Sequence, residues 1–236
     1  MRICVITPMY NEKAIARKSA ETILSYTKRL NPPATLLVVN DGSDDGTGDI
    51  VERLAEETKD RELIEVISHK ANKGYGAALK TGIRFAIERN YDYVIFMDSD
   101  LTNRPKYLRA FYEKMVEGWD YIKATRYAAG GGVMGLPLKH RILSRSANIL
   151  AKVVTGLPLS DITNGFRAVK VALLANMELK EDRFPIIIEE LMKARRLTGR
   201  FCEIPYILYA RDQAAAASKF TYDIITFWKY LKYLFI

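Results

Sequence analysis

Short, nearly continuous apolar runs alternate along the first half of the chain with longer segments in which apolar residues recur every three or four positions. The apolar runs cover residues 2–8, 35–40, 63–69 and 91–97, and the periodic segments cover residues 11–30, 48–59, 72–89 and 105–118. Such runs are typical of buried strands, and such spacing is typical of amphipathic helices. The alternation predicts an α/β fold with a mainly parallel sheet and helices on both faces. Asn11 is placed to cap the first helix.

Polar residues follow each of the four predicted strands. They are Tyr10, Asn11 and Glu12 after the first, Asp41, Ser43 and Asp44 after the second, Asn72 and Lys73 after the third, and Asp98 and Asp100 after the fourth. Ligands of open parallel sheets bind at the carboxyl ends of the strands. A purely structural turn does not need so many acids together, so this convergence predicts a ligand site at that edge.

Asp98 and Asp100 stand two residues apart, which puts both side chains on the same side of an extended chain. Two adjacent carboxylates repel each other unless a cation lies between them. Oxygen ligands suit Mg²⁺ or Mn²⁺, and such ions are often held by one or two carboxylates plus substrate phosphates. A solvated strand end and carboxylate acid–base chemistry are the alternatives. The second fits less well, because neither histidine, His69 or His140, is near in sequence; both are expected to be structural or surface residues.

The chain has 236 residues, 49% hydrophobic and 27% charged, with a formal net charge of +8. This length fits one large domain or two small ones, and the positive excess indicates nucleic acid, a phosphorylated small molecule or an anionic membrane surface as partner. Cys4 and Cys202 lie in apolar segments and are expected to be reduced core residues of a cytosolic chain. Since the sequence starts directly with a strand, no signal peptide is expected.

The glycine-rich segments do not support the common nucleotide-binding fingerprints. No G-x-G-x-x-G follows the first strand, and no G-x-x-x-x-G-K-[ST] occurs. Gly74 and Gly76 are instead expected to allow a tight turn and close packing of the following helix.

Four motifs together, "VITPMYNE", "VVNDGSDDGT", "NKGYGAALKTG" and "FMDSD", resemble those of the GT-A glycosyltransferases of family 2. The stretch "TRYAAGGGVMGLPLKHRILSRSANILAKVVTGLPLSDITNGFRAVK" resembles the acceptor side of dolichol-phosphate mannose synthases and related polyprenyl-phosphate glycosyltransferases. The resemblance runs from residue 2 to about residue 220. It implies a GT-A domain over residues 1–219.

The resemblance also implies a donor site at the strand ends. The nucleoside would be held by Pro8, Tyr10, Glu12, Val39 and Asp41, with Tyr10 against the base and Asp41 hydrogen-bonded to it. Further contacts to the nucleotide sugar would come from Met97, Asp98, Ser99, Arg211 and Lys219. The last two would clamp the diphosphate from a mobile C-terminal loop.

By the same resemblance, Asp98, Asp100 and Thr102 would hold Mg²⁺ or Mn²⁺. Asp100 and Arg126 would be the catalytic residues, with Arg126 facing phosphate near the reaction centre. The chain departs from the family pattern at two places. Thr102 stands where Gln or Ser is common, and the loop "RDQAAAASK" is longer than the usual Arg-x-x-Gly-x-Ser-Lys and lacks its glycine.

The predicted helix around residues 138–154 is basic near its start and apolar along one side. The lipid-phosphate acceptor is expected at Lys139, Arg141, Ser144 and Arg145. An apolar stripe for the lipid tail would consist of Leu143, Ala147, Leu150 and Val154. The alternative is an amphipathic core helix whose basic end is solvated.

Residues 220–236 form a second predicted unit. As a helix, this segment has an apolar face that carries aromatic residues, and its lysines make it a poor membrane span. An amphipathic helix lying in the membrane interface is expected, with a packed core helix as the alternative.

The resemblance implies an inverting transfer of a sugar, mannose from GDP-mannose being favoured, to dolichyl or polyprenyl phosphate at the cytoplasmic face of a membrane. A phosphate monoester is largely dianionic at neutral pH, because its second pKa is about 6. The nucleophile is therefore already deprotonated, and no protein base is needed.

Three other functions stay open at this point. The donor could be UDP-glucose or another UDP-sugar, and the acceptor could be soluble or a polysaccharide. A non-catalytic basic module that binds nucleic acid is a third possibility, but no aromatic–basic recognition motif supports it, so no nucleic-acid partner is expected.

Overall fold

The structure is a computed structural model that describes residues 1–135, 138–211 and 233. The strands within these residues are β1 (Ile3–Met9), β2 (Thr35–Asn40), β3 (Ile64–Ser68), β4 (Tyr93–Phe96), β5 (Tyr121–Thr125), β6 (Gly132–Met134), β7 (Arg167–Lys170), β8 (Phe201–Pro205) and β9 (Ile207–Tyr209). The α-helices are α1 (Ala16–Thr27), α2 (Thr47–Glu57), α3 (Tyr75–Glu88), α4 (Leu108–Val116), α5 (Leu138–Thr155), α6 (Val171–Leu174) and α7 (Ile186–Leu197).

Seven strands form one twisted sheet in the order β3-β2-β1-β4-β7-β5-β8. All neighbours are parallel except β7, which runs antiparallel between β4 and β5. The remaining strands, β6 and β9, form a small parallel pair. The predicted α/β class with a mainly parallel sheet is confirmed, and the four predicted strands are β1 to β4.

The sheet is buried on both faces. Cys4 and Ile6 of β1 enter the core beneath α3 and α7, whereas Ile3 and Val5 enter the core beneath α1, α2 and α4. This explains why the sequences of these strands are almost continuously apolar. Both cysteines are free thiols, and Cys202 is half-buried on β8.

The first helix begins later than the sequence predicts. Asn11 does not cap it; its backbone has φ +50°, and its side-chain amide exchanges two hydrogen bonds with Asp44. The helix proper starts at Ala16. These two hydrogen bonds tie the segment between β1 and α1 to the loop after β2. Because the Asn11 side chain is engaged there, it is not available to cap its own helix.

No helix in the described part of the chain is long and apolar enough to cross a membrane.

Candidate functional site

A cavity of about 550 Å³ opens at the carboxyl ends of the first strands. It is lined by Pro8, Met9, Tyr10, Glu12, Asp41, Asn72, Gly74, Tyr75, Ala78, Asp98, Ser99, Asp100, Arg183, Phe184 and Arg211. Eight of these residues are ones that the sequence analysis assigned to donor or metal binding. The four strand ends therefore do converge on one concave surface.

Two of the expected donor residues lie beneath this surface instead. The side chains of Val39 and Met97 are 0% and 1% exposed and pack in the two cores of the sheet. Any contact between these residues and a donor would therefore come from their main chains.

Asp98 is an acid with few hydrogen bonds. Its carboxylate accepts a hydrogen bond from the Tyr75 hydroxyl (3.2 Å) and a long one from the Asn103 amide (3.4 Å). Burial and the neighbouring Asp100 raise the pKa of Asp98 to about 6. The charged form of this side chain is therefore under-stabilised by the protein alone.

A fully buried ion pair lies near Asp98, outside the cavity lining. The Arg167 guanidinium donates to both carboxylate oxygens of Glu190 and to the Gly165 carbonyl. A Cβ at Gly165 would lie 3.2 Å from the Tyr75 hydroxyl and 3.7 Å from Asp98 Oδ2. The glycine thus lets the backbone approach the acid closely, and the buried arginine lowers the pKa of Asp98 against the effect of burial.

Asp100 is, in contrast, saturated with hydrogen bonds. Its Oδ1 accepts from the Thr102 main-chain N–H (3.0 Å) and hydroxyl (2.8 Å), and its Oδ2 accepts from Arg211 Nη2 (2.8 Å) and Nε (3.0 Å). The Thr102 hydroxyl is therefore turned onto Asp100 and away from the cavity lining. In this geometry the hydroxyl orients the Asp100 carboxylate. The expected role of Thr102 as a metal ligand stays a prediction.

Arg211 supplies the positive charge at this end of the cavity. Besides Asp100, it approaches Glu12, with 3.8 Å between Nη1 and Oε1. The guanidinium therefore bridges acids that follow two different strands, β1 and β4.

The acid pair has the donor chemistry that a hard divalent cation requires. Both side chains present oxygen, and the raised pKa of Asp98 shows that a further positive charge nearby would stabilise its charged form. Within the described ranges no cluster of three or more His, Cys, Asp or Glu side chains could hold an ion by itself. An ion bound here would need substrate phosphates or water as further ligands, which is the common arrangement for Mg²⁺.

Asp41 fastens the loop between β3 and α3. Its buried carboxylate accepts from the main-chain N–H groups of Lys73 (3.0 Å) and Gly74 (2.8 Å) and lies 2.7 Å from His69 Nδ1. The other ring nitrogen of His69 lies 2.9 Å from the Thr81 hydroxyl. A carboxylate offers about four acceptor positions, so one stays available for a ligand. His69 has the structural role that was expected.

A loop that the sequence analysis did not assign forms one wall of the cavity. Arg183 and Phe184 lie in this loop, and the Phe184 ring stacks on Tyr75 with centroids 4.7 Å apart. The loop packs directly on Gly74, where φ is +105° and a Cβ would meet the Asp182 carbonyl at 2.3 Å. The close packing expected at Gly74 and Gly76 is confirmed, since a Cβ at Gly76 would also lie 2.6 Å from the Glu181 carbonyl.

Arg126 does not line the cavity. Its guanidinium forms two hydrogen bonds of 2.7 Å with the buried Asp161 and a longer one, 3.3 Å, with Thr163. This partner raises the pKa of Arg126 above its usual range. The expected contact between Arg126 and phosphate stays a prediction.

Helix α5 contains five basic or histidine side chains and no acid. Arg141 and Arg145 are exposed, and the Ser144 hydroxyl accepts a hydrogen bond from the Tyr127 hydroxyl (2.7 Å). The Lys139 side chain lies outside the described residues. The expected acceptor residues are thus on one helix, beside the loop that follows β5.

The apolar surface of α5 is displaced from the stripe that the sequence predicts. Ala147 is exposed and Val154 packs against the core, whereas the Leu143 side chain lies outside the described residues. The exposed apolar residues of this helix are Leu138 (65%), Ile142 (57%), Ile149 (59%), Leu150 (54%) and Val153 (76%). The side of the helix that contains Asn148 and Ala151 faces the core.

Lys219 and most of residues 220–236 lie outside the described residues, so the expected interface helix and the boundary at residue 219 stay predictions. Tyr233 is the exception. It is helical and 7% exposed, and its hydroxyl donates to Glu181 (2.9 Å). At this position the packed-core alternative has direct support.

The sequence of the chain matches the family model "Glycosyl transferase family 2" over residues 4–177. The chain belongs to glycosyl transferase family 2. The matched range contains all four strand ends that line the cavity as well as helix α5.

Two relatives are similar to this family 2 chain over most of its length. Polyprenol monophosphomannose synthase of Mycolicibacterium smegmatis is 33% identical over 178 residues, which cover 75% of this chain and 65% of that protein. Undecaprenyl-phosphate mannosyltransferase of Micrococcus luteus is 29% identical over 215 residues, which cover 90% of this chain and 85% of that protein. The chain thus spans a little under two thirds of the first relative.

The fold is shared with solved structures of glucosyl-3-phosphoglycerate synthase from Mycobacterium tuberculosis. The complex with Mn²⁺, UDP-glucose and phosphoglyceric acid has a TM-score of 0.68 and 20% identity, and covers 99% of this chain and 79% of that one. The complex with Mg²⁺ and UDP has a TM-score of 0.64 and 21% identity, and covers 89% and 70%. These likenesses confirm the GT-A fold.

Proposed function

We propose that this family 2 glycosyltransferase transfers mannose from GDP-mannose to a polyprenyl phosphate, with inversion, as a peripheral protein at the cytoplasmic face of a membrane. The observation that carries the proposal is the similarity to two relatives whose names both specify mannosyl transfer to a polyprenyl phosphate. The chemistry of the cavity and of α5 supports it independently.

The cavity has the features expected of a donor site. Its lining combines the apolar and aromatic side chains of Pro8, Tyr10 and Phe184 with the acids Asp98 and Asp100. A base can pack on these side chains, and Asp98 and Asp100 would hold Mg²⁺ or Mn²⁺ against the diphosphate. The ion would act as a Lewis acid that neutralises charge on the departing nucleoside diphosphate. Arg211 is close enough to add a second positive charge there.

Helix α5 has the features expected of a lipid-phosphate acceptor site. Arg141 and Arg145 are exposed cations that can pair with a phosphate, and guanidinium groups form strong charge-assisted hydrogen bonds with phosphate oxygens. The exposed apolar residues of the same helix suit a lipid tail or the membrane interface. An anionic headgroup faces no repulsion from acids on this helix, since it has none.

The acceptor phosphate would attack the anomeric carbon directly. At neutral pH it is largely dianionic, so the protein need not remove a proton from it. The chain's task is then to place the acceptor oxygen opposite the leaving diphosphate, and a single displacement of this kind inverts the anomeric configuration.

The test is a transfer assay with purified protein, Mn²⁺ and a polyprenyl phosphate in detergent. GDP-mannose is compared with UDP-glucose, and the lipid acceptor is compared with a soluble sugar acceptor. We expect a mannosyl phospholipid whose anomeric configuration, read by NMR, is opposite to that of the donor. Transfer only from UDP-glucose, only to the soluble acceptor, or with retained configuration would contradict the corresponding part of the proposal.

A further inference from the structure

We propose that Arg183 reads the base of the donor and favours guanine over uracil. The inference rests on the proposed GDP-sugar donor and deepens it, because it names a specificity residue in the wall formed by the loop before α7.

The loop that carries Arg183 is held in a fixed position. The Asp182 carbonyl accepts hydrogen bonds from the main-chain N–H groups of Gly76 (2.9 Å) and Ala77 (3.3 Å). On its other side, the buried Glu189 carboxylate accepts from the N–H groups of Lys180 and Glu181. The backbone next to Arg183 is therefore hydrogen-bonded to α3 on one side and to the Glu189 side chain of α7 on the other.

Arg183 lies beside Gly74, whose main-chain N–H also contacts Asp41. A Cβ placed on Gly74 would lie 2.9 Å from Arg183 Cδ and 3.2 Å from its Nε. The N–H of the same glycine donates to Asp41 Oδ2 at 2.8 Å. Arg183 and Asp41 thus flank one glycine of the cavity lining.

Among the residues that the structure describes, Arg183 is also the cation of this cavity that has no acidic partner. Two of the lining residues are cationic, and Arg211 is paired with Asp100 and Glu12. Within the described residues, Arg183 forms no ion pair. An exposed guanidinium with no acid to bind is free to donate to a ligand in the cavity.

The geometry of a guanidinium discriminates between the two bases. Guanine presents two adjacent acceptors, O6 and N7, and an arginine that donates to both is the commonest specific contact to a base. Uracil has no such adjacent pair, since its O4 stands between the N3–H and C5–H groups. Asp41 has three acceptor positions already in use, so most of the discrimination falls to Arg183.

The test is calorimetric titration of GDP and of UDP, each with Mn²⁺, into the wild-type protein, Arg183→Gln and Arg183→Lys. Arg84→Gln serves as control, because it removes the same charge from an exposed position on α3 outside the cavity. We expect Arg183→Gln to weaken GDP binding roughly 5- to 140-fold, which corresponds to one bidentate contact, and UDP binding by less than about 3-fold. Arg183→Lys keeps the charge but not the planar fork, so it should also lose the preference for GDP.

The outcomes separate this inference from the proposed function. Equal losses of GDP and UDP affinity in Arg183→Gln would mean that Arg183 binds phosphate, and an unchanged GDP preference would mean that it binds neither group; both results overturn the inference and leave the GDP donor intact. A wild-type protein that prefers UDP, or binds neither nucleotide, would overturn the GDP donor and the inference together. Thermal melting of each variant checks that the fold is preserved.

Discussion

The substitution Asp98→Asn should stabilise the metal-free protein while it removes the ability to bind an ion. The fold tolerates the charge of Asp98 poorly, because burial and Asp100 raise its pKa to about 6. An amide of the same shape removes that charge. The new amide also has a partner. Within the described residues the buried side-chain oxygen of Asn103 accepts no hydrogen bond, and a flip of the Asn103 amide would present this oxygen to the new amide as an acceptor.

The size and pH dependence of the effect follow from the shift in pKa. The folded-state pKa of Asp98 lies above the ordinary value of 3.8, so between about pH 4 and pH 6 the folded protein binds more protons than the unfolded chain. The contribution of Asp98 to the free energy of unfolding therefore falls as the pH rises through this window. A shift of about two units corresponds to about 3 kcal/mol. Because the cavity is open to water, we expect about 1–3 kcal/mol in practice.

The assay is chemical or thermal unfolding in the presence of a chelator. At pH 8 the variant should be more stable than the wild type by about 1–3 kcal/mol, or a few degrees in Tm, and at pH 4 the two should coincide. Addition of Mn²⁺ and GDP should stabilise the wild type and not the variant. Glu56→Gln, an exposed acid on α2, is the control and should change neither. A variant that is less stable than the wild type at pH 8, with the difference unchanged at pH 4, would refute the reasoning.

Three further predictions use the same geometry. Asp100→Ala should abolish transfer and also lower Tm by several degrees, because it removes the acceptor of four hydrogen bonds; a fully active variant would exclude a role in metal binding. Arg141→Ala or Arg145→Ala should raise the KM for polyprenyl phosphate roughly 10- to 100-fold with little change in GDP affinity, whereas loss of GDP affinity would assign these arginines to the donor. Val153→Glu should weaken binding to anionic liposomes about tenfold or more, and Val116→Glu, a matched exposed valine on α4, should not; equal effects would exclude α5 as the membrane contact.

The strand ends could be predicted from the sequence because each contact there is local to one strand. A polar residue after an apolar run needs only the parallel sheet to bring it to the common edge, and Tyr10, Asp41 and Asp98 are all found there. The wall formed by Arg183 and Phe184 could not be predicted in this way. Its position depends on main-chain hydrogen bonds to Gly76 and Ala77, more than 100 positions earlier, and main-chain bonds leave no residue-specific signal.

At two sites the expected role and the observed partner differ for the same reason. Arg126 was assigned to phosphate, but the structure pairs it with Asp161, and Thr102 was assigned to metal, but its hydroxyl bonds Asp100. In both cases the side chain has the chemistry that the sequence suggested. The sequence does not show which acid the fold places within hydrogen-bonding distance of that side chain.

The pairing of Arg211 with Asp100 would couple the binding of a metal ion to the binding of the donor. The guanidinium now occupies Asp100 Oδ2 and approaches Glu12, and it contributes to lowering the pKa of Asp98. In the protein alone, Arg211 therefore acts as the counter-ion of these acids. A divalent ion that used the same oxygen would have to displace it, and the displaced arginine could then pair with Glu12, 3.8 Å away, or with the diphosphate of the donor. If Asp100 holds the ion and Arg211 contacts the diphosphate as proposed, the two events would be linked through one carboxylate oxygen, because each would make the other less costly.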